Sequence, residues 1–495
     1  MLVLKIFRSS AVVYLSRLKC YNQKLFSLTW PIRVMASSQV RPIWVTLEGM
    51  LKDTLDLERE ILGNLWDSNE LWDNLTYLCD TCNSRFAGTP DERRAGDFMM
   101  SRFQAYGMQQ IAAEPFEMRG WERGDCVLTL HEGERKVNLP CLALPGSFAC
   151  DLEAEIIDAG QGTPEDFQRL GASVAGKIVL TSSDGPGRGE KYSAALAAGA
   201  VAFIFSNAQP GLLAPTGSVG KELPAIGLAY EYAARIKRTL RGGPARVHLT
   251  IHATVLQVTA RNIVGEIPGT DPQAGWILAG GHYDGHDICQ GAQDNGASTA
   301  ILIEAARILS PLRSHLKAGI RFVLFSGEEL GLYGSYAYAR AHAHELDPIR
   351  LVFNADVAGL AMPLVLRTQA SPALAAYFRT QPLAELDAVV NDGPGSFIMN
   401  SDHFPFNLAG IPAVWALTSH PTPGTSWGHT AADTLDKIEP RILKQTAATV
   451  TRLLYRMAAN AQELPRQHQT AAEVQHALTE AGFEQALRSS GRWPF

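Results

Sequence analysis

The chain has 495 residues, 46% of them hydrophobic and 19% charged, with a formal net charge of −6. That is enough apolar material for more than one domain, and the acidic balance gives no electrostatic case for a nucleic-acid partner. No apolar run reaches the roughly 20 residues that cross a bilayer, so no transmembrane segment is expected.

Residues 1–48 differ from the rest. No Asp or Glu precedes Glu48, while Lys5, Arg8, Arg17, Lys19, Lys24, Arg33 and Arg41 make the segment basic. It resembles an organelle transit peptide. "SAVVYL" is too short for the apolar stretch of a secretory signal, and Arg17 follows closely. The segment is either a disordered or targeting leader, or an over-extended start with Met35 as initiator. Neither makes it part of the fold. The Cys count is odd and the spacing irregular, so no disulfide framework is indicated and a reducing, cytoplasmic setting is favoured. Cys79 and Cys82 form a CxxC with no second pair, which fits two thiols on a helical turn better than a zinc ribbon or redox motif.

Residues 51–122 are expected to be mainly helical. "GTPDERRAGDFMMSRFQAYGM" has a Thr-Pro start, acids in its first turn and a Gly after its last apolar position. The texture then changes. Over residues 123–254, β-rich runs such as "KIVLTSS" and "VAFIFSN" alternate with Gly/Pro turns, which predicts a compact α/β insert. From 255 to 460 strands alternate with helices: "GWILAGGHYD", "STAILIEAARIL", "GIRFVLFSGEE", "IRLVFNADVAG" and "RILKQTAATVTRLLYRMA". This pattern predicts an α/β fold, a mostly parallel mixed sheet sandwiched by helices. Residues 461–495 form a polar, helix-prone tail.

The chemistry-bearing residues fall at one end of these strands. His282 and Asp284 close one strand, and Asp294 sits in the loop that opens the next helix. Glu328 and Glu329 end the following strand, Asp356 the next, and His429 begins a loop near the last. In a parallel sheet such ends share one rim, where ligands bind. Several carboxylates crowded there repel one another unless they hold cations or protons. A set of His and carboxylate ligands suits zinc. His282 and Asp284 lie on the same side of a strand, so Asp284 can take the other ring N–H of His282. Glu328 and Glu329 diverge, so one can ligate while the other faces a substrate. Each residue alone also fits an ordinary hydrogen-bonding role, and "DNGAS" alone is a good helix cap. His286, Asp287 and Cys289 crowd the same loop as additional contacts. His403 is divided between substrate contact and support. The His pair of "RAHAHE" is expected on a solvated helix.

Taken together, "GGHYDGH", "QDNGAS", "FSGEELGLYGS", "FNADVAG", "NSDHFPF" and "GHTAADTLDKI" resemble the co-catalytic di-zinc exopeptidases, which include leucyl-type aminopeptidases, glutamate carboxypeptidases and carboxypeptidase Q-like dipeptidases. Residues 123–254 resemble the protease-associated domain inserted in some of them. The resemblance implies two Zn2+ per chain. It places one on His282 and Asp356 and the other on Glu329 and His429, with Asp294 as bridge, Glu328 as general base and Asp284 orienting His282. The implied partner is a peptide, and a homodimer is left open. Some aminopeptidases of the family carry a Tyr near the position of Ile398, which points to Asn400, His403 or the metals for oxyanion support. Arg367 is a candidate reader of a substrate carboxylate. A glutaminyl-cyclase-like acyltransferase on the same core and a silent receptor or scaffold are the alternatives; metal content separates them.

Overall fold

The computed structural model describes residues 2–6, 11–15, 47–369, 371–393, 397–418, 427–465 and 467–495. The chain divides into residues 1–63 and 64–495. In the first unit Leu2–Ile6 pairs antiparallel with Ala11–Leu15, and the helix Leu47–Trp66 begins. The rest of the expected leader lies outside the described residues. Among the described residues no helix is long and apolar enough to cross a membrane.

The second unit contains a core sheet of β1 (Gln109–Glu122), β2 (Thr254–Ile267), β3 (Trp276–His282), β4 (Gly319–Phe325), β5 (Ile349–Ala355), β6 (Leu364–Arg367), β7 (Ala388–Asn391) and β8 (Ala413–Thr418). Its order is β7-β6-β8-β5-β3-β4-β2-β1. The strands β8, β5, β3 and β4 run parallel at the centre, while β2 and β6 join antiparallel on either side. Parallel central strands are buried on both faces and read as nearly continuous apolar runs, as "GIRFVLF" does. Alternate residues then serve opposite helix layers. Leu278, Val323, Phe325 and Val352 cluster with Tyr338 and Phe406 on one side. Phe322 meets Phe103 of the Pro90–Ala105 helix on the other, ring centroids 6.2 Å apart. The helix Ala297–Leu309 lies in that second layer and is buried at every position except Arg307.

The Pro90–Ala105 helix starts as expected. Thr89 accepts the Glu92 N–H at 3.3 Å, Pro90 sits at the first position, and Asp91 and Glu92 occupy the first turn. The helical texture expected to continue towards residue 122 stops at Ala105, however. Gln109–Glu122 is instead the edge strand β1, paired antiparallel with β2. An edge position tolerates Pro115, which has no N–H to offer a neighbour.

The insert forms a second sheet. Its order is Arg135–Leu139, Cys126–Glu132, Ala245–Ile251, Cys150–Asp158, Ile178–Ser182, Ala202–Ser206, Ala225–Leu228 and Cys141–Ala143. It has its own core around Leu128, Ile204 and Val247. It meets the catalytic unit at defined points. Arg123 makes a two-pronged ion pair with Asp287, both contacts at 2.7 Å, and the Thr216 N–H donates to the His429 carbonyl at 2.7 Å. Cys79 and Cys82 are buried free thiols, with burial pushing their pKa values up to about 12 and about 11.

Candidate active site and metal centre

The rim forms because β3, β4 and β5 end side by side. Gly281 makes this approach possible: a Cβ there would stand 2.2 Å from the Ala355 carbonyl oxygen. His282 is the last residue of β3, and Asp356 follows the last residue of β5. The next helix begins after Asp294, whose carboxylate turns back to the sheet.

Two trios of ligand-bearing side chains result. One is His282, Asp294 and Asp356; the other is His286, Glu329 and His429. Asp294 joins them. Its Oδ1 lies 3.1 Å from His282 Nε2 and its Oδ2 lies 3.1 Å from His429 Nε2. His282 Nε2 is also 3.5 Å from Asp356 Oδ1, and His429 Nε2 is 3.3 Å from Glu329 Oε2. Glu328 stands outside both trios, its Oε2 4.0 Å from His282 Nε2. The structure therefore brings His282, Asp294, Glu328, Glu329, Asp356 and His429 into one site.

The environment tunes these groups. Burial opposes a charge on His282, yet Glu328, Asp284, Asp294 and Asp356 around it raise its pKa well above the usual value. Burial likewise opposes charge on His429, but Glu329 and Asp294 push it up to about 9. Desolvation opposes charge on Asp294 too, and His282 and His429 nonetheless hold it well below the carboxylate range. Glu328 goes the other way. Burial is the main cause, with His282 opposing and Glu329, Asp356 and Asp402 reinforcing, and it ends well above the usual value. Among the rim carboxylates, proton affinity is thus raised at Glu328 and lowered at Asp294. Carboxylates pushed apart in this way are common where titratable groups share a functional site.

Asp284 sits differently from the expectation. His282 Nδ1 faces the Asp284 main-chain carbonyl at 3.1 Å, while the carboxylate is 3.5 Å away. That carboxylate instead accepts the N–H groups of Glu328 and Glu329, at 3.2 and 3.3 Å. Asp284 therefore orients the glutamate pair as well as the histidine. The additional loop residues separate. His286 enters the second trio, Asp287 pairs with Arg123, and the buried Cys289 points its thiol at the His286 carbonyl.

Several supports carried no signal that stood out in sequence. Asp433 accepts the N–H groups of Gln293 and Asp294 at 2.7 and 3.1 Å, holding the bridging loop in place. It lies inside "GHTAADTLDKI", four residues after His429, and that spacing was its only signal. Arg85 is fully buried and ties the same loop through the carbonyls of Tyr283, Gln290 and Gly291. Ser401 donates to Asp356 and accepts from Asn354. His403 is a support: it is buried, stacks on Trp415 and faces the Ile398 carbonyl. Asn400 is exposed. His342 contacts Glu114 and Glu345 and stacks on Tyr338, so it is held rather than solvated.

A cleft of about 470 Å³ opens beside the second trio, between the insert and the core sheet. Its walls include Arg188, Phe205, Asn207 and Thr216 from the insert, and Asp294 and His429 from the rim. Arg367 is not on that wall; it stacks over Trp415.

This fold and site define a di-zinc metallo-exopeptidase. Residues 262–454 match peptidase family M28 and residues 137–236 match the PA domain, so the chain carries an M28 catalytic domain with an inserted PA domain. It is 27% identical to carboxypeptidase Q of Xenopus laevis over 443 residues, covering 84% of this chain and 93% of that protein. It is 28% identical to aminopeptidase YwaD of Bacillus subtilis over 401 residues, covering 78% and 83%. Among solved structures, a zinc aminopeptidase from Bacillus subtilis superposes with a TM-score of 0.61 at 27% identity, covering 81% of this chain and 98% of that one.

Proposed function

We propose that this zinc exopeptidase hydrolyses the terminal peptide bond of short peptides or dipeptides, with Glu328 as general base and Arg188 anchoring a free substrate carboxylate. The observation that carries the reading is Asp294, which offers one oxygen to each trio. Nitrogen and oxygen donors in this proportion suit zinc. One ion would be held by His282, Asp356 and Asp294, the other by Glu329, His429 and Asp294. When bound, the pair would supply an activated water and polarise the scissile carbonyl.

The chain's own groups account for the rest. Glu328 takes the proton from the attacking water on its carboxylate and returns it to the leaving amine nitrogen. Asp284 fixes the Glu328 and Glu329 main chain, so the base and its neighbour stay in register. Ser401 and Asn354 hold Asp356 from behind. The intact rim sets the chain apart from a silent scaffold.

Arg188 favours a substrate with a free C-terminus. It rises from the insert's Arg188–Ala197 helix into the cleft wall. Its Nε donates to the Ser218 carbonyl at 3.0 Å and its Nη1 to the Thr216 carbonyl at 3.1 Å. Among the described residues no carboxylate forms an ion pair with it. A guanidinium oriented by main-chain carbonyls is suited to bind a carboxylate.

Hydrolysis of a dipeptide panel against N-blocked and C-amidated versions, with and without chelator, tests this. Dipeptides and N-blocked dipeptides are expected to turn over, C-amidated ones to show a KM raised roughly 10-fold or more, and chelator to abolish all turnover. Arg188→Met should erase the preference for the free carboxylate. Preference for a free amine with indifference to C-amidation would assign an aminopeptidase instead.

A further inference from the structure

We propose that His286 is a fourth protein ligand, through Nε2, of the ion placed on Glu329, His429 and Asp294. This rests on the two-ion reading above and adds to it a donor that the sequence placed only as a loop contact.

The geometry is that of donors converging on a point between them. His286 Nε2 faces Glu329 Oε2 at 2.8 Å, while His286 Nδ1 and Glu329 Oε1 have no hydrogen-bond partner. The imidazole is 1% exposed. Donor atoms buried this deeply and turned towards one another are satisfied by an ion between them. The His286 and His429 rings meet edge to face at 75°, centroids 4.6 Å apart, so their nitrogens can face a shared centre from different planes. The donor atoms of the trio lie within 4.8 Å of one another; ligands of a tetrahedral zinc are separated by about 3.4 Å, given bonds near 2.0–2.1 Å.

The loop is built to hold His286 there. Asp287 is clamped by Arg123 from the junction with the insert. A turn closes behind, with the Cys289 N–H donating to the His286 carbonyl at 3.3 Å. Gly285 passes close to Ser84, whose carbonyl oxygen would stand 3.0 Å from a Cβ.

The consequence is asymmetry. With Asp294 shared, the Glu329 ion has His286, His429 and two carboxylates, while the other has His282 and two carboxylates. The fuller set holds its ion more tightly, and the sparser set keeps more room for water or substrate.

The test uses the full chain loaded with Co2+. In paramagnetic NMR each cobalt-bound imidazole gives a shifted N–H signal. Three such signals are expected in the wild type, from His282, His286 and His429, and two in His286→Phe. In chelator titrations His286→Phe should release one ion roughly 10- to 100-fold more readily and hold the other as the wild type does. Apo forms melting together would show that the fold is intact. The wild-type count is decisive even if the variant misfolds. Two bound ions with only two shifted signals would overturn the assignment of His286 while leaving the two-ion reading standing. Fewer than two ions in the wild type would overturn both.

Discussion

At the scale of single residues, the proposed mechanism assigns ligation and proton transfer to different groups. Glu328 and Glu329 are neighbours in sequence, and both N–H groups are held by one carboxylate, that of Asp284. Their side chains still diverge. Glu329 joins the second trio and is held below the usual carboxylate range, since His286 and His429 outweigh its burial. Glu328 is pushed the other way. Replacing Glu328 with Gln should therefore lower kcat by roughly 10²- to 10⁴-fold, the usual contribution of a positioned acid–base group, with metal content unchanged. Steady-state kinetics alongside elemental analysis checks this; loss of metal in step with activity would make Glu328 a ligand instead. Asp433 illustrates a residue acting through another. Asp433→Asn keeps the size of the side chain but weakens its hold on the N–H groups of Gln293 and Asp294. Metal affinity should fall roughly 10- to 100-fold, as for other outer partners of metal ligands. Chelator competition measures it, and wild-type affinity would remove Asp433 from the account.

At the scale of elements, the parallel centre of the sheet places the ligands, and close strand packing sets their spacing. Gly281 has no room for a side chain beside the Ala355 carbonyl. Gly281→Ala should push β3 from β5, moving His282 away from Asp356. A loss of about 1–3 kcal/mol in folding stability is expected from overpacking, together with weaker metal binding. Denaturant unfolding of the apo protein and metal titration report the two effects separately; a variant unchanged in both would show that the contact does not set the spacing. Much of this level was legible in the sequence. Buried runs such as "GIRFVLF" marked the central strands, and the polar residues at their ends marked the rim. β1 was not legible, because its apolar residues are sparse and the helical pattern of Pro90–Ala105 runs into it. Its strand character comes from pairing with β2, a contact distant in sequence. His282, Glu328, Glu329 and Asp356 showed in the sequence because each lies at or just after a strand end, and Asp294 and His429 showed through the loop motifs that contain them. Arg85 and Arg188 did not, because each reaches the site from a segment remote in sequence, and local pattern carries no trace of that approach.

At the scale of the whole molecule, the insert and the core sheet close on one cleft. The insert brings Arg188 and Thr216 to the wall, and the core brings Asp294 and His429. The Thr216 contact to the His429 carbonyl and the Arg123–Asp287 pair connect the insert directly to the loops that carry His429 and His286. His429 therefore depends on both domains for its position. Every step of the account depends on Asp294 joining two ions. The most direct test is a crystal structure of zinc-loaded protein with anomalous data collected on both sides of the zinc edge. The account predicts two zinc peaks, one in each trio, with a different Asp294 oxygen directed to each. A single peak, or two peaks with Asp294 bound to neither or to only one, would contradict it.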